Sequence, residues 1–355
     1  MLITLVSEEK KNMAKQKRKE LGVSCMLNTE VGAVLAVIHR SPETNAHFFP
    51  PEERYDTHIS QSLKSLRALI FNPQQEWCNL DPSLYLLPFL DVIQSGDVPA
   101  AATGVALSSV FKILKLEIFD HRTPGAREAI NSAVAAVTSC RLEKTDPASV
   151  DAIMMKILQV LGAIMAHPAS IWLTDQAVCT VVNSCFQVVQ QSAGRGGDLL
   201  QRSARFTMHE LIYTVYSRLP EVEPSEWENS ESDSEDTVMD DLGGYGIRAA
   251  VDIFHFLCSL LNVMEGMEPD GMPYQTPDES IQLFSLLLIN SAIELSGDSI
   301  GMHPKMMRMI QDDLFHHLVH YGSCSKPLVL SMICSIVLNL YHFLPRSMRL
   351  QLEAF

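Results

Sequence analysis

The residues able to do chemistry are thinly spread along this chain. His209 and Glu210 stand together, but Tyr213 occupies the position where a zinc-binding HExxH helix places its second histidine. His316, His317 and His320 could bring two imidazoles, at i and i+4, to one helix face. A half-solvated helix surface is expected there in preference to a metal site. The glycines at 194–197 and 243–246 fit neither a phosphate-binding loop nor a dinucleotide fingerprint. No GxSxG motif occurs and no Cys/His pairing suggests a nucleophile. The sequence therefore assigns no catalytic residue, no metal ligand and no cofactor. Two charges within apolar helical runs stand out instead. Lys112 lies between Phe111 and Ile113, and Asp151 lies in the first turns of a long apolar segment. Lys112 could belong to a solvated stripe with Ser108 and Lys115, and Asp151 suits the positive end of a helix. The alternative expectation is that both form ion pairs across a self-association surface.

Charge narrows the function classes. The chain has 355 residues and a formal net charge of −15. Ten Asp and Glu fall between Glu221 and Asp241, with no basic residue among them, which leaves about −5 on everything else. Without a net basic field, nucleic acid is not an expected partner. The eight cysteines form no CxxC pair and most sit in apolar runs, consistent with reduced thiols in a cytosolic protein. Leu328 to Leu344 is apolar, but Ser331, Ser335, Asn339 and His342 recur along it at helical spacing. A buried helix is expected there, not a membrane span.

Helices must position these groups. The organising segment is Asp146 to Ala166: Asp146 offers an N-cap oxygen, Pro147 takes the first helical position, and His167-Pro168 stops the helix. Val150, Ile153, Met154, Ile157, Leu158, Leu161, Ile164 and Met165 recur at i, i+3, i+4, i+7, leaving Ala152, Lys156, Gln159 and Ala163 as a thin polar side. A helix so apolar is expected to be wrapped by others. Similar segments run from Met26 to Arg40, Ile59 to Phe71, Pro99 to Phe119, Glu128 to Cys140, Thr174 to Gln191 and Leu199 to Arg218. Asp81-Pro82 opens another, which Pro88 should kink or split. After Pro220 come Ile247 to Met264, Ile281 to Leu295, Pro304 to Tyr321 and Pro327 to Leu344. No strand alternation intervenes, and Pro82, Pro124 and Pro168 lie about one armadillo or HEAT unit apart. The expected fold is all-α, an armadillo/HEAT-like helical solenoid in two halves joined by an acidic disordered linker.

The expected domains are a basic tail at 1–20, a helical domain at 21–219, the linker at 220–246 and a second helical region at 247–355. Ser230 and Ser232 in the linker each precede an acidic residue by three positions, which makes them candidate phosphorylation sites for an acid-directed kinase. The last residues, Met348 to Phe355, keep a helical pattern without a C-cap, which suggests a longer native polypeptide.

The runs LYLLPFLDVIQS, VALSSVFKIL, TDPAS followed by MKILQVL, QAVCTVVNSCFQVV, LLQRSARFTMHEL, GIRAAVDIFHFLCSLLNV and PLVLSMICSIVLNLY give the chain a family likeness. It resembles the N-terminal region of the large ARF guanine-nucleotide exchange factors, most closely the plant GNOM and GNOM-like branch. The resemblance implies that residues 21–219 are the dimerisation and cyclophilin-binding domain. It implies that the second half begins the homology region upstream of the catalytic Sec-seven domain. That domain, which would engage the ARF GTPase, is not among the matching runs. It implies self-association through 21–219, contact with the downstream helical region, and cyclophilin as an open candidate partner. Peripheral recruitment from the cytosol to Golgi, endosomal or plasma membranes in vesicle traffic is also implied. Lys112 and Asp151 lie within matching motifs. An unrelated armadillo-like cytosolic adaptor is the alternative.

Overall fold

A computed structural model describes residues 2–40, 58–72, 77–141, 147–192, 198–219, 244–261, 279–322 and 326–354. The Pro-rich loop after Ser41, the Asp146 cap, the acidic segment from Pro220 to Gly243, and with it Ser230 and Ser232, lie outside the described residues. All regular structure among the described residues is helical. Chain contacts divide the protein into a unit of residues 1–207 and a unit of residues 208–355.

The first unit holds α1 (Leu2–Arg40), α2 (His58–Ile70), α3 (Ser83–Gln94), α4 (Ala100–Lys115), α5 (Ala126–Thr138), α6 (Pro147–Ala166) and α7 (Asp175–Ser192). Helix α1 continues back through the basic run. Pro88 sits buried inside α3, which continues past it as one helix. Each helix packs on close neighbours in the chain: α1 on α2 and α4, α3 on α4 and α5, α4 on α6, α5 on α6 and α7. The apolar spacing explains why. Val23, Leu27, Val31 and Val34 are the buried face of α1, and Leu63, Leu66 and Ile70 that of α2.

Helix α6 packs against α4, α5 and α7. By length and composition it could cross a bilayer, as could Glu20–His39 and Ile281–Met302. Its polar side is thinner still than its sequence suggests. Ala163 is buried, and the Lys156 ammonium donates 2.7 Å to the Gly104 carbonyl on α4. Burial, and then the nearby Lys112 charge, lower the Lys156 pKa.

A file of rings crosses this unit from Trp77 to Tyr85, Phe119 and His167, with centroids 5.9, 6.5 and 4.4 Å apart. His167 precedes the short turn Pro168–Trp172, and its Nδ1 accepts the Ala169 amide at 3.1 Å. Its Nε2 is buried without a partner among the described residues. Burial pushes its pKa down to about 4, because charging the ring would strand a cation and remove the acceptor for Ala169. The native state therefore binds fewer protons than the unfolded chain between about pH 6.5 and pH 4. The His167 contribution is full above pH 6.5 and is lost as pH falls towards 4. The urea midpoint should drop across that window, and more steeply in the parent than in His167→Gln. Equal pH slopes would refute this.

The second unit contains the last turns of α8 (Asp198–Tyr216), then α9 (Ile247–Ser259), α10 (Glu279–Ser296), α11 (Pro304–Arg308), α12 (Phe315–Gly322), α13 (Pro327–Phe343) and α14 (Arg349–Ala354). The buried Tyr216 hydroxyl donates 2.8 Å to the Ala250 carbonyl. That bond helps explain why the division in contacts falls inside α8. Ser285 donates to Leu257, and Tyr321 donates 2.6 Å to Leu261, closing α9 against α10 and α12. Asn339 on α13 donates to Asn290 on α10. The segment Pro304 to Tyr321 is not one regular helix, because Met309–Leu314 takes π geometry between α11 and α12.

Candidate functional site

Lys112 and Asp151 sit on α4 and α6, which pack on each other more extensively than any other two helices of the first unit. No hydrogen bond or ion pair joins them, and each has a distinct setting. The Lys112 side chain is half-exposed, and its ammonium lies 2.6 Å from Glu30 Oε1 on α1. Glu30 is 5% exposed, and its Oε2 accepts the Ser109 hydroxyl at 2.8 Å. Both carboxylate oxygens are thus satisfied from one face of α4, and Lys112 works inside its own chain, tying α1 to α4. Asp151 is half-buried in the second turn of α6 and has no ion pair or side-chain hydrogen bond among the described residues.

Sequence reasoning singled out Lys112 and missed Glu30. The signal was present. Leu27, Val31 and Val34 define the buried face, and residue 30 falls between them at i+3 from Leu27. A lone carboxylate on an apolar face requires a partner, and a lysine in another apolar helix can supply one.

Two histidines of α12 meet edge to face, and His317 and His320 lie against Tyr321. His316 and His317 have centroids 5.8 Å apart, and His317 and Tyr321 6.4 Å. Burial, then the His316 charge, lower the His317 pKa. Among the described residues no group of three or more His, Cys, Asp or Glu could hold a metal ion. Cys185 and Cys258 are buried, and burial pushes both thiols up to about 12, far from nucleophilic. An open, mostly apolar cleft of about 570 Å³ lies beside α13, lined by Cys334, Val337, Leu338, Tyr341, Pro345, Arg349 and Glu353. The arrangement can hold helices together and present surfaces.

Residues 246–355 match the family described as Mon2/Sec7/BIG1-like, HUS domain. The chain is 66% identical to the ARF guanine-nucleotide exchange factor GNL2 of Arabidopsis thaliana, over 96% of this chain and 25% of that protein. It is 43% identical to the ARF guanine-nucleotide exchange factor GNOM of the same plant, over 94% of this chain and 27% of that protein. ARF guanine-nucleotide exchange factor 1 of Saccharomyces cerevisiae is 23% identical over 86% of this chain and 25% of its own length. The chain spans about a quarter of the length of these relatives.

Proposed function

Since the chain belongs to the plant GNOM/GNL group of ARF guanine-nucleotide exchange factors, as their N-terminal region, we propose that it is the regulatory and oligomerisation portion of such a factor. The observation that carries this reading is the match to GNL2 along nearly the whole chain, with the HUS region in its second part. Residues 21–219 self-associate and also contact the downstream helical region. The chain carries no nucleotide-exchange activity of its own, and ARF is engaged by the part of the relatives that it does not match. It works from the cytosol, recruited peripherally to Golgi, endosomal or plasma membranes in vesicle traffic. Cyclophilin is a candidate partner of the first half.

Neighbour-on-neighbour packing supports a solenoid, an architecture that offers long surfaces to partners. Phosphorylation at Ser230 and Ser232 would deepen the negative charge of the acidic segment at 220–246.

The test is the oligomer mass by light scattering. Lys112 is a poor probe by itself, because reversing its charge also removes the partner of buried Glu30. Asp151 has no such role. The Asp151→Lys chain should shift from dimer towards monomer with its melting temperature kept. An unchanged dimer would remove Asp151 from the interface.

A further inference from the structure

Helix α8 has two apolar faces, and among the described residues only one of them is covered. Ala204, Met208, Leu211, Ile212, Val215 and Tyr216 are buried. On the outward side Leu199, Phe206 and Tyr213 are 75, 67 and 51% exposed. Arg202 and Glu210 are exposed on the same side, and neither makes a side-chain hydrogen bond or ion pair among the described residues. At about 100° per residue these five positions fall within a stripe about 80° wide. The solvent side of a surface helix is ordinarily polar and charged, so three large apolar groups at seven-residue intervals are out of place there.

The order of the stripe identifies its occupant. Phe206 is its centre. Seven residues to either side stand Leu199 and Tyr213, both apolar. Four residues to either side stand Arg202 and Glu210, of opposite charge. A twofold contact between antiparallel copies of one helix requires this arrangement, apolar groups symmetric about the centre and charges antisymmetric. Phe206 then meets the partner's Phe206, Leu199 meets the partner's Tyr213, and Arg202 comes level with the partner's Glu210 at both ends. An unrelated partner would impose no such relation between the two halves of the stripe.

We infer that the outward face of α8 is a twofold contact with a second copy of this chain. The inference rests on the self-association proposed above and adds the α8 face to the dimer contact that Asp151 is proposed to join. Phe206 is the apolar centre. The two Arg202–Glu210 pairs lie at the solvent-exposed rim, where ion pairs contribute little affinity but fix direction. The antiparallel register is their contribution.

Light scattering and sedimentation on the full chain test this with four proteins: the parent, Phe206→Glu, Arg202→Glu, and the double variant Arg202→Glu/Glu210→Arg. All the substituted side chains are exposed, so melting temperatures should stay close to the parent's. Phe206→Glu should raise the dimer dissociation constant at least about tenfold. Arg202→Glu should weaken the dimer, and the double variant should restore it, because the swap re-forms both pairs in the same register. Parent-like mass in every variant would overturn the inference while leaving self-association standing. Weakening by Arg202→Glu without rescue in the double variant would overturn the antiparallel pairing. A parent that is monomeric throughout would overturn the proposed function itself, and this surface with it.

Discussion

Replacing Lys112 by Met is expected to destabilise the first unit by about 2 kcal/mol, between the cost of stripping a fully buried pair and that of an exposed one. The intermediate figure follows from the geometry, because Glu30 is enclosed while the Lys112 side chain is half-exposed. The penalty comes from the carboxylate left behind. Ser109 can still donate to one oxygen, but nothing offsets the buried negative charge. Glu30→Gln should therefore be mild, within about 1 kcal/mol, since it keeps the shape and the serine contact without the charge. In that background Lys112→Met should add almost nothing. Urea unfolding of the four proteins closes the cycle. Simple additivity of the two substitutions would show that the pair is incidental to the docking of α1 on α4.

Gly125→Ala should cost about 2 to 3 kcal/mol, from a left-handed backbone and a displaced cap. Gly125 has φ of 77° and sits immediately before α5. An alanine Cβ there would fall on the Asp81 carboxylate, whose Oδ1 accepts the Ser83 amide at 2.8 Å at the start of α3. The loop before α5 and the first turn of α3 thus share one space, and only a hydrogen fits between them. Combining the change with Asp81→Ala separates the two costs. The clash disappears, and Gly125→Ala in that background should cost about 1 kcal/mol, the backbone part alone. If the cost is the same in both backgrounds, Asp81 does not limit the site.

How far these features can be read from sequence depends on whether their cause is local. The bounds of α6 are legible because Pro147 and the His167-Pro168 step are local signals, and its apolar girth announces that other helices surround it. The polar stripe of α9, with Asp252, His255 and Ser259 outward, follows from period alone. Features set by long-range packing are not legible in the same way. Lys112 reads as a solvated lysine until α1 brings Glu30 to it across 82 positions of chain. Gly125 reads as an ordinary turn glycine until Asp81 arrives beside it. Pro304 to Tyr321 has one continuous helical period, yet its middle adopts π geometry, a change in backbone pairing that leaves no break in composition. Pro220 marks a turn in the sequence, whereas contacts divide inside α8, whose Tyr216 already bonds to α9.

The candidate surfaces divide the same way. Asp151 was visible as a charge at a helix start, and its lack of an internal partner required the structure. The α8 stripe needed the structure more, because Leu199, Phe206 and Tyr213 look like core residues until the buried face proves to be the other one.

The central claim is that this chain is an assembly module that binds a second copy of itself. Molar mass by light scattering across a dilution series of the unmodified chain measures it directly. The account predicts twice the chain mass at high concentration, falling to the chain mass on dilution. The chain mass at every concentration would contradict it.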